Sequence, residues 1–104
     1  MIKIELSQEA TANLKSISDY ISTDNPSRGK TYTVELLSKA RNQLQTFPES
    51  CFLHNEALNI RRFCYGKYNL YYQYRKKTET VYILFVLHSA MAENEALKSK
   101  DYEL

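Results

Sequence analysis

The sequence predicts an α+β domain in the order β-α-α-β-β-β, with an antiparallel sheet and an N-terminal two-helix hairpin packed on one face. Three observations lead there. Apolar residues between positions 10 and 44 recur at helical spacing. From residue 58 the period changes to two. Pro26 and Pro48 punctuate the helical half, one where a helix can begin and one where it must end. The 104 residues suffice for one domain, and 43% apolar content supports a core. A single domain is expected over 1–104: strand and hairpin in 1–47, a three-stranded meander in 58–88, a polar tail in 90–104.

Each element has its own signature. Ile2, Ile4 and Leu6 alternate with Lys3 and Glu5, a short half-buried strand. Ser7 can cap the helix that follows, and Glu9 suits its positive end. Ala10, Leu14, Ile17 and Ile21 form one helical stripe. Asp24-Asn25-Pro26 ends that helix and starts the next, with Asn25 as cap and Pro26 as first residue. Val34, Leu37, Ala40 and Leu44 make the second stripe, widened by Tyr32 and Leu36, up to Pro48. The link is so short that the helices must pack as an antiparallel hairpin.

In the second half, residues 58–65 read as a strand. Gly66-Lys67 is a two-residue turn, since glycine accepts positive φ at its first position. In 68–75, Tyr68, Leu70, Tyr72 and Tyr74 point one way, and Asn69, Tyr71, Gln73 and Arg75 the other. A polar turn follows at 76–79. Val81 to Leu87 is apolar on both faces, as a central strand requires. A helix is possible around 91–98. The helices should cover one sheet face and leave the other open, carrying basic and tyrosine residues.

Charge is unevenly placed. The net value is only +2, yet residues 61–77 hold Arg61, Arg62, Lys67, Arg75, Lys76 and Lys77 and no acid. Residues 1–60 and 78–104 are both net negative. A basic block of this kind suits a polyanion or an acidic protein partner. The longest apolar run, Val81 to Leu87, falls far short of the roughly 20 residues of a membrane span. Charge at Lys3 and Glu5 argues against a signal peptide. With two cysteines, Cys51 and Cys64, a reduced, cytoplasmic protein with free thiols is expected.

Candidate functional residues lie mostly in that block. Six of nine tyrosines fall between Tyr65 and Tyr82. Alternating Tyr and Arg can stack bases and hold phosphates, although tyrosine is also simply a good strand residue. Arg61 and Arg62 occupy opposite strand faces. The one toward the helices must be paired, because a lone buried charge is costly; the other can clamp an anion. His88, ending the apolar strand, has a side chain fit for proton transfer near neutrality, without a partner evident in sequence. Cys51-x-x-His54 has metal-like spacing, but only Cys64 and His88 could complete four ligands, so no metal is expected. No phosphate loop, nucleophile elbow or paired-carboxylate motif is present, and no cofactor is expected.

The ordered series I-x-L-S-x-x-A-x-x-x-L-x-x-I-x-x-Y-I (Ile4–Ile21), D-N-P (24–26), L-x-x-F-P-E (Leu44–Glu49), R-R-F (61–63), Y-G-K-Y (65–68) and V-L-H (86–88) resembles the RelE/ParE-family toxins. It spans about nine-tenths of the chain. The resemblance implies the toxin of a bacterial type II toxin–antitoxin pair and the same element order. RelE-like members cut mRNA on the ribosome; ParE-like members poison DNA gyrase. The RelE-like pattern has an arginine where this chain has Asn69, and a basic cluster where it has His88-Ser89-Ala90-Met91. Cationic groups stabilise charge developing on phosphate, so their absence turns the resemblance toward ParE.

The resemblance then implies a protein that binds gyrase, arrests growth and is neutralised by a cognate antitoxin. Its target would meet Arg61, Arg62, Arg75, Lys76 and Lys77. Its antitoxin would meet Leu14, Ile21, Tyr32, Leu36 and Tyr71. Two alternatives are a ribosome-dependent endoribonuclease using Arg61, His88 and Tyr71, and an inactive relative that binds only antitoxin or nucleic acid.

Overall fold

A computed structural model describes residues 2–89. The order is β1 (Lys3–Leu6), α1 (Gln8–Asp24), α2 (Pro26–Thr46), β2 (Phe52–Asn55), β3 (Ile60–Tyr65), β4 (Tyr68–Arg75) and β5 (Thr80–His88). The strands form one sheet in the order β1-β5-β4-β3-β2, with the two helices packed on one face. The α+β class and the helix hairpin are those expected. The region proposed for a helix at 91–98, and the tail of which it is part, lie outside the described residues.

Two details of the sheet correct the expectation, and they have one cause. The sheet has five strands rather than four, and β1 pairs with β5 in parallel, Lys3 opposite Thr80 and Leu6 opposite Ile83. The additional strand is β2, four residues reading Phe-Leu-His-Asn with no alternation, bent by an irregularity between Leu53 and Asn55. When every short connection reverses the chain, six elements leave the first and last strands antiparallel. A seventh element makes them parallel. Missing β2 therefore also inverted the relation of β1 to β5.

The helices form as their caps dictate. Ser7 accepts a hydrogen bond from the Ala10 N–H at 2.9 Å. Asn25 alone connects the helices: its N–H closes α1 on the Ile21 carbonyl, and its side chain accepts from the Arg28 N–H at 3.2 Å. Pro26 follows as the first residue of α2. At Gly29 the helices touch. A Cβ there would lie 2.6 Å from the Ser18 carbonyl oxygen, and the Ser18 hydroxyl donates to the Gly29 carbonyl at 2.8 Å.

The main core joins Ala10, Leu14 and Ile17 of α1, Leu36, Ala40 and Leu44 of α2, and the helix-facing residues of β3, β4 and β5. Val34, expected in the α2 stripe, is 65% exposed; the buried line is Gly29, Leu36, Ala40 and Leu44. The opposite sheet face was expected to be open. At its centre it is instead buried: Ile60, Tyr71, Leu84 and Phe85 form a second cluster, with the Tyr71 and Phe85 rings stacked at 4.7 Å. A bulge explains how Leu84 and Phe85 share that face. Tyr71 pairs with Phe85 but Tyr72 with Ile83, so β5 carries one extra residue.

Candidate target-binding surface

The basic block is divided by the pleat and the hairpins into groups with different roles. Arg61 lies opposite Tyr72 in the ladder, on the helix face with Phe63. Its guanidinium donates to the Glu49 and Cys51 carbonyls at 3.1 and 2.9 Å and meets the Glu49 carboxylate at 3.5 Å. The Tyr72 hydroxyl donates to the Pro48 carbonyl at 2.9 Å. Together they tie the loop between α2 and β2 to the sheet. Burial drives the Tyr72 phenol well above its ordinary pKa. Arg61 is thus the paired, helix-facing arginine expected from the sequence, held by the loop that it ties down.

Arg62 takes the other face, its guanidinium 5.3 Å from the Phe52 ring centre. His54 sits edge-on to Tyr71 at 5.2 Å on this side. The Asn69 amide donates to the Tyr71 hydroxyl at 3.4 Å. His54 takes this place because it lies in β2, the strand that the sequence pattern does not show.

Arg75, Lys76 and Lys77 are exposed at the turn between β4 and β5. Arg75 lies over the Tyr82 ring at 4.8 Å and donates to the Gln73 side chain at 3.2 Å. Lys76 reaches the Glu49 carboxylate at 3.6 Å. One carboxylate, Glu49, therefore stands between Arg61 and Lys76. The turn itself forms because Glu79 adopts positive φ and its N–H returns to the Lys76 carbonyl.

At the opposite end of the sheet, Gly66 has φ +58 and begins the two-residue turn between Tyr65 and Tyr68. Tyr32 of α2 donates to the Tyr65 carbonyl at 3.0 Å and packs on the Tyr65 and Tyr68 rings. The Tyr65 hydroxyl donates to Glu35 at 3.0 Å, and Arg28 pairs with the same carboxylate at 2.9 Å. The Arg28 and Tyr65 donors hold Glu35 below the ordinary carboxylate range.

The three residues considered for a nuclease site do not meet. His88 pairs with Tyr68, with the rings 5.2 Å apart, and lines a small pocket with Tyr20 and Asn13 of α1. Arg61 stands two strands away and four ladder positions along, roughly 16 Å by strand geometry. Tyr71 points to the other face. The four possible zinc ligands do not gather either: among the described residues no three His, Cys, Asp or Glu side chains are placed to hold a metal ion. Cys51 and Cys64 are not joined by a disulfide.

Of the residues read as antitoxin contacts, Leu14, Leu36 and Tyr71 are buried, and only Ile21 and Tyr32 keep partial exposure. A stripe residue on a helix looks alike whether it faces a core or a partner, so periodicity alone could not separate them. Among the described residues the large apolar side chains that are exposed are Tyr20, Val34, Phe47 and Phe52.

The family model for the ParE toxin of type II toxin–antitoxin systems (parDE) matches residues 4–93. The chain belongs to this family. No curated protein matches it in sequence. In structure, this ParE-family chain is similar to the chromosomal ParDE system from P. aeruginosa, with TM-score 0.71 and 13% identity over 85% of this chain and 96% of that one. It is also similar to the isolated E. coli RelE toxin, with TM-score 0.61 and 16% identity over 94% and 97%. The intact E. coli RelBE toxin–antitoxin complex gives TM-score 0.60 and 14% identity over 88% and 100%. These likenesses establish the RelE/ParE toxin fold. Among the described residues no helix is long and apolar enough to cross a membrane.

Proposed function

We propose that this toxin is ParE-like in action: it binds DNA gyrase in the cytoplasm, arrests growth, and is neutralised by a cognate antitoxin protein. The observation that carries the reading is the ParE family match across residues 4–93. The separation of Arg61, His88 and Tyr71 supports it. A general acid or base must come within hydrogen-bond reach of the reacting group, and these three cannot serve one phosphodiester together. The exposed group Arg75, Lys76 and Lys77 is the best-placed part of the basic block for a target. The antitoxin would cover the helix hairpin, where Tyr20 and Val34 stand exposed beside Ile21 and Tyr32.

The test is a supercoiling reaction with purified gyrase beside a translation reaction in which mRNA integrity is read. Loss of supercoiling with intact mRNA is the expected result. Cleaved mRNA with normal supercoiling would establish the RelE-like alternative. Activity in neither reaction, together with antitoxin binding, would mark an inactive relative.

A further inference from the structure

A groove of about 830 Å³ opens at the turn between β4 and β5, lined by Glu49, Asn59, Tyr74, Arg75, Lys76, Lys77 and Thr78. Its volume lies in the upper part of the range for small-ligand pockets, room for several side chains. We propose that this groove holds an acidic segment of a protein partner, its carboxylates on Arg75, Lys76 and Lys77. The inference rests on the reading of this toxin as one that acts by binding protein, and it names the chemistry of what is bound.

Charge complementarity supplies the first argument. Among the described residues three cations face the groove against one carboxylate, and Glu49 is already held between Arg61 and Lys76, at 3.5 and 3.6 Å. Glu49 shows what the cleft accepts: a side-chain carboxylate on two basic groups. A partner's carboxylate would find Arg75 and Lys77 exposed at the mouth, and Lys76, 74% exposed in its side chain, has room for a second carboxylate beside Glu49.

The second argument separates peptide from nucleic acid. Single-strand binders combine a basic track with successive stacking rings. Among the described residues Tyr74 is the one aromatic lining this groove, and it is half-buried. Glu49 in the wall would repel a phosphate backbone. An extended peptide avoids both obstacles, because its charges are spaced by uncharged side chains that can lie against Tyr74 and the aliphatic stems of the basic residues.

The experiment is fluorescence anisotropy with the full chain and a short fluorescein-labelled peptide alternating Glu with Leu and Ser. A Gln-for-Glu version and a labelled single-stranded oligonucleotide serve as comparisons. The Glu peptide should bind, and the Gln peptide should not. Lys76→Gln with Lys77→Gln should weaken binding about tenfold or more, as expected when charge-assisted contacts are removed. Lys30→Gln with Lys39→Gln removes equal charge from exposed sites on α2 and should leave binding unchanged. Thermal melts establish that each variant folds. Equal loss from both pairs would reduce the effect to net charge and overturn the proposal. So would tighter binding of the oligonucleotide, or a dimer of the chain alone that Lys76→Gln with Lys77→Gln dissolves. Peptide binding without inhibition of gyrase would retire the gyrase reading and leave the groove's chemistry standing.

Discussion

The Asn13 side-chain oxygen accepts a hydrogen bond from the backbone N–H of Val86, 3.0 Å away. Strand β1 ends at Leu6, opposite Ile83, while β5 continues to His88. Past that point helix α1 takes over from the missing strand. The Ser7 hydroxyl donates to the Leu84 carbonyl, and Asn13 receives the Val86 N–H. Both contacts flank the bulge at Leu84 and Phe85.

Asn13→Ala should therefore cost about 1–3 kcal/mol, the range for stranding a buried donor. Asn13→Asp keeps an acceptor and should cost less. Urea unfolding gives the stability, and amide exchange at Val86 locates the effect. If Val86 exchanges no faster in the alanine variant, Asn13 is not what protects that edge.

Acid sensitivity should be traceable to Glu35. Its carboxyl titrates below the ordinary value near 4.5 because Arg28 and Tyr65 donate to its charged form. A lowered folded-state pKa contributes stability above the unfolded value, and this is lost as pH falls through the folded value. Glu35→Gln should thus be less stable than the parent at neutral pH, with the gap closing below about pH 4.5. Urea midpoints across pH 3–7 test it, and a gap that persists unchanged into acid would exclude Glu35 as the source.

Most of the fold was legible because its signals are local. The caps at Ser7 and Asn25, the stripe from Ala10 to Ile21 and the turn at Gly66 each depend on neighbours within a few residues. What was hidden depended on distant partners. Strand β2 has four residues and no alternation, and it exists because β3 offers it a ladder from Arg61 and Arg62. The candidate surface suffered similarly. The sequence marked Arg75, Lys76 and Lys77 as charge, but not the groove that Glu49, Asn59, Tyr74 and Thr78 complete with them. Arg61 and Arg62 read alike in sequence; the pleat alone made one a loop tie and placed the other on the second face.

The turn at Gly66 should tolerate no side chain. Its φ is +58, and a Cβ would stand 2.6 Å from the Tyr32 hydroxyl. Left-handed backbone costs an L-residue about 1–2 kcal/mol, and displacing Tyr32 forfeits its bond to the Tyr65 carbonyl, about 1 kcal/mol more. Gly66→Ala should destabilise by about 1–3 kcal/mol after allowing for its stiffer unfolded chain. Tyr32→Phe removes the colliding oxygen, so Gly66→Ala should cost less in that background. A double-mutant cycle in chemical denaturation reads the coupling; strictly additive losses would mean that the hydroxyl is not the obstacle.

The ranking of substitutions in a toxicity assay tests the target reading most directly. Lys76 and Lys77 are exposed, so alanine there should change stability by no more than about 0.5 kcal/mol. On a binding mechanism each loss should nonetheless weaken growth arrest, because a charge-assisted contact is worth roughly tenfold or more in affinity. Arg61→Ala should also reduce toxicity, but through the fold. Its side chain is only 17% exposed and holds the Glu49 and Cys51 carbonyls, so its removal should cost about 1.5–3 kcal/mol. Lower growth temperature should restore part of the Arg61→Ala effect and none of the lysine effect. Arg62→Ala should lower toxicity, since its guanidinium sits beside exposed Phe52 on the second face. His88→Ala should leave most of it, because Arg61 lies too far from His88, and Tyr71 on the other sheet face, to share a reaction with it. Had His88 been a general acid or base, its loss would lower a cleavage rate about 10²–10⁴-fold. A folded His88→Ala protein that no longer arrests growth, beside fully toxic lysine variants, would move this toxin from gyrase binding to RNA cleavage.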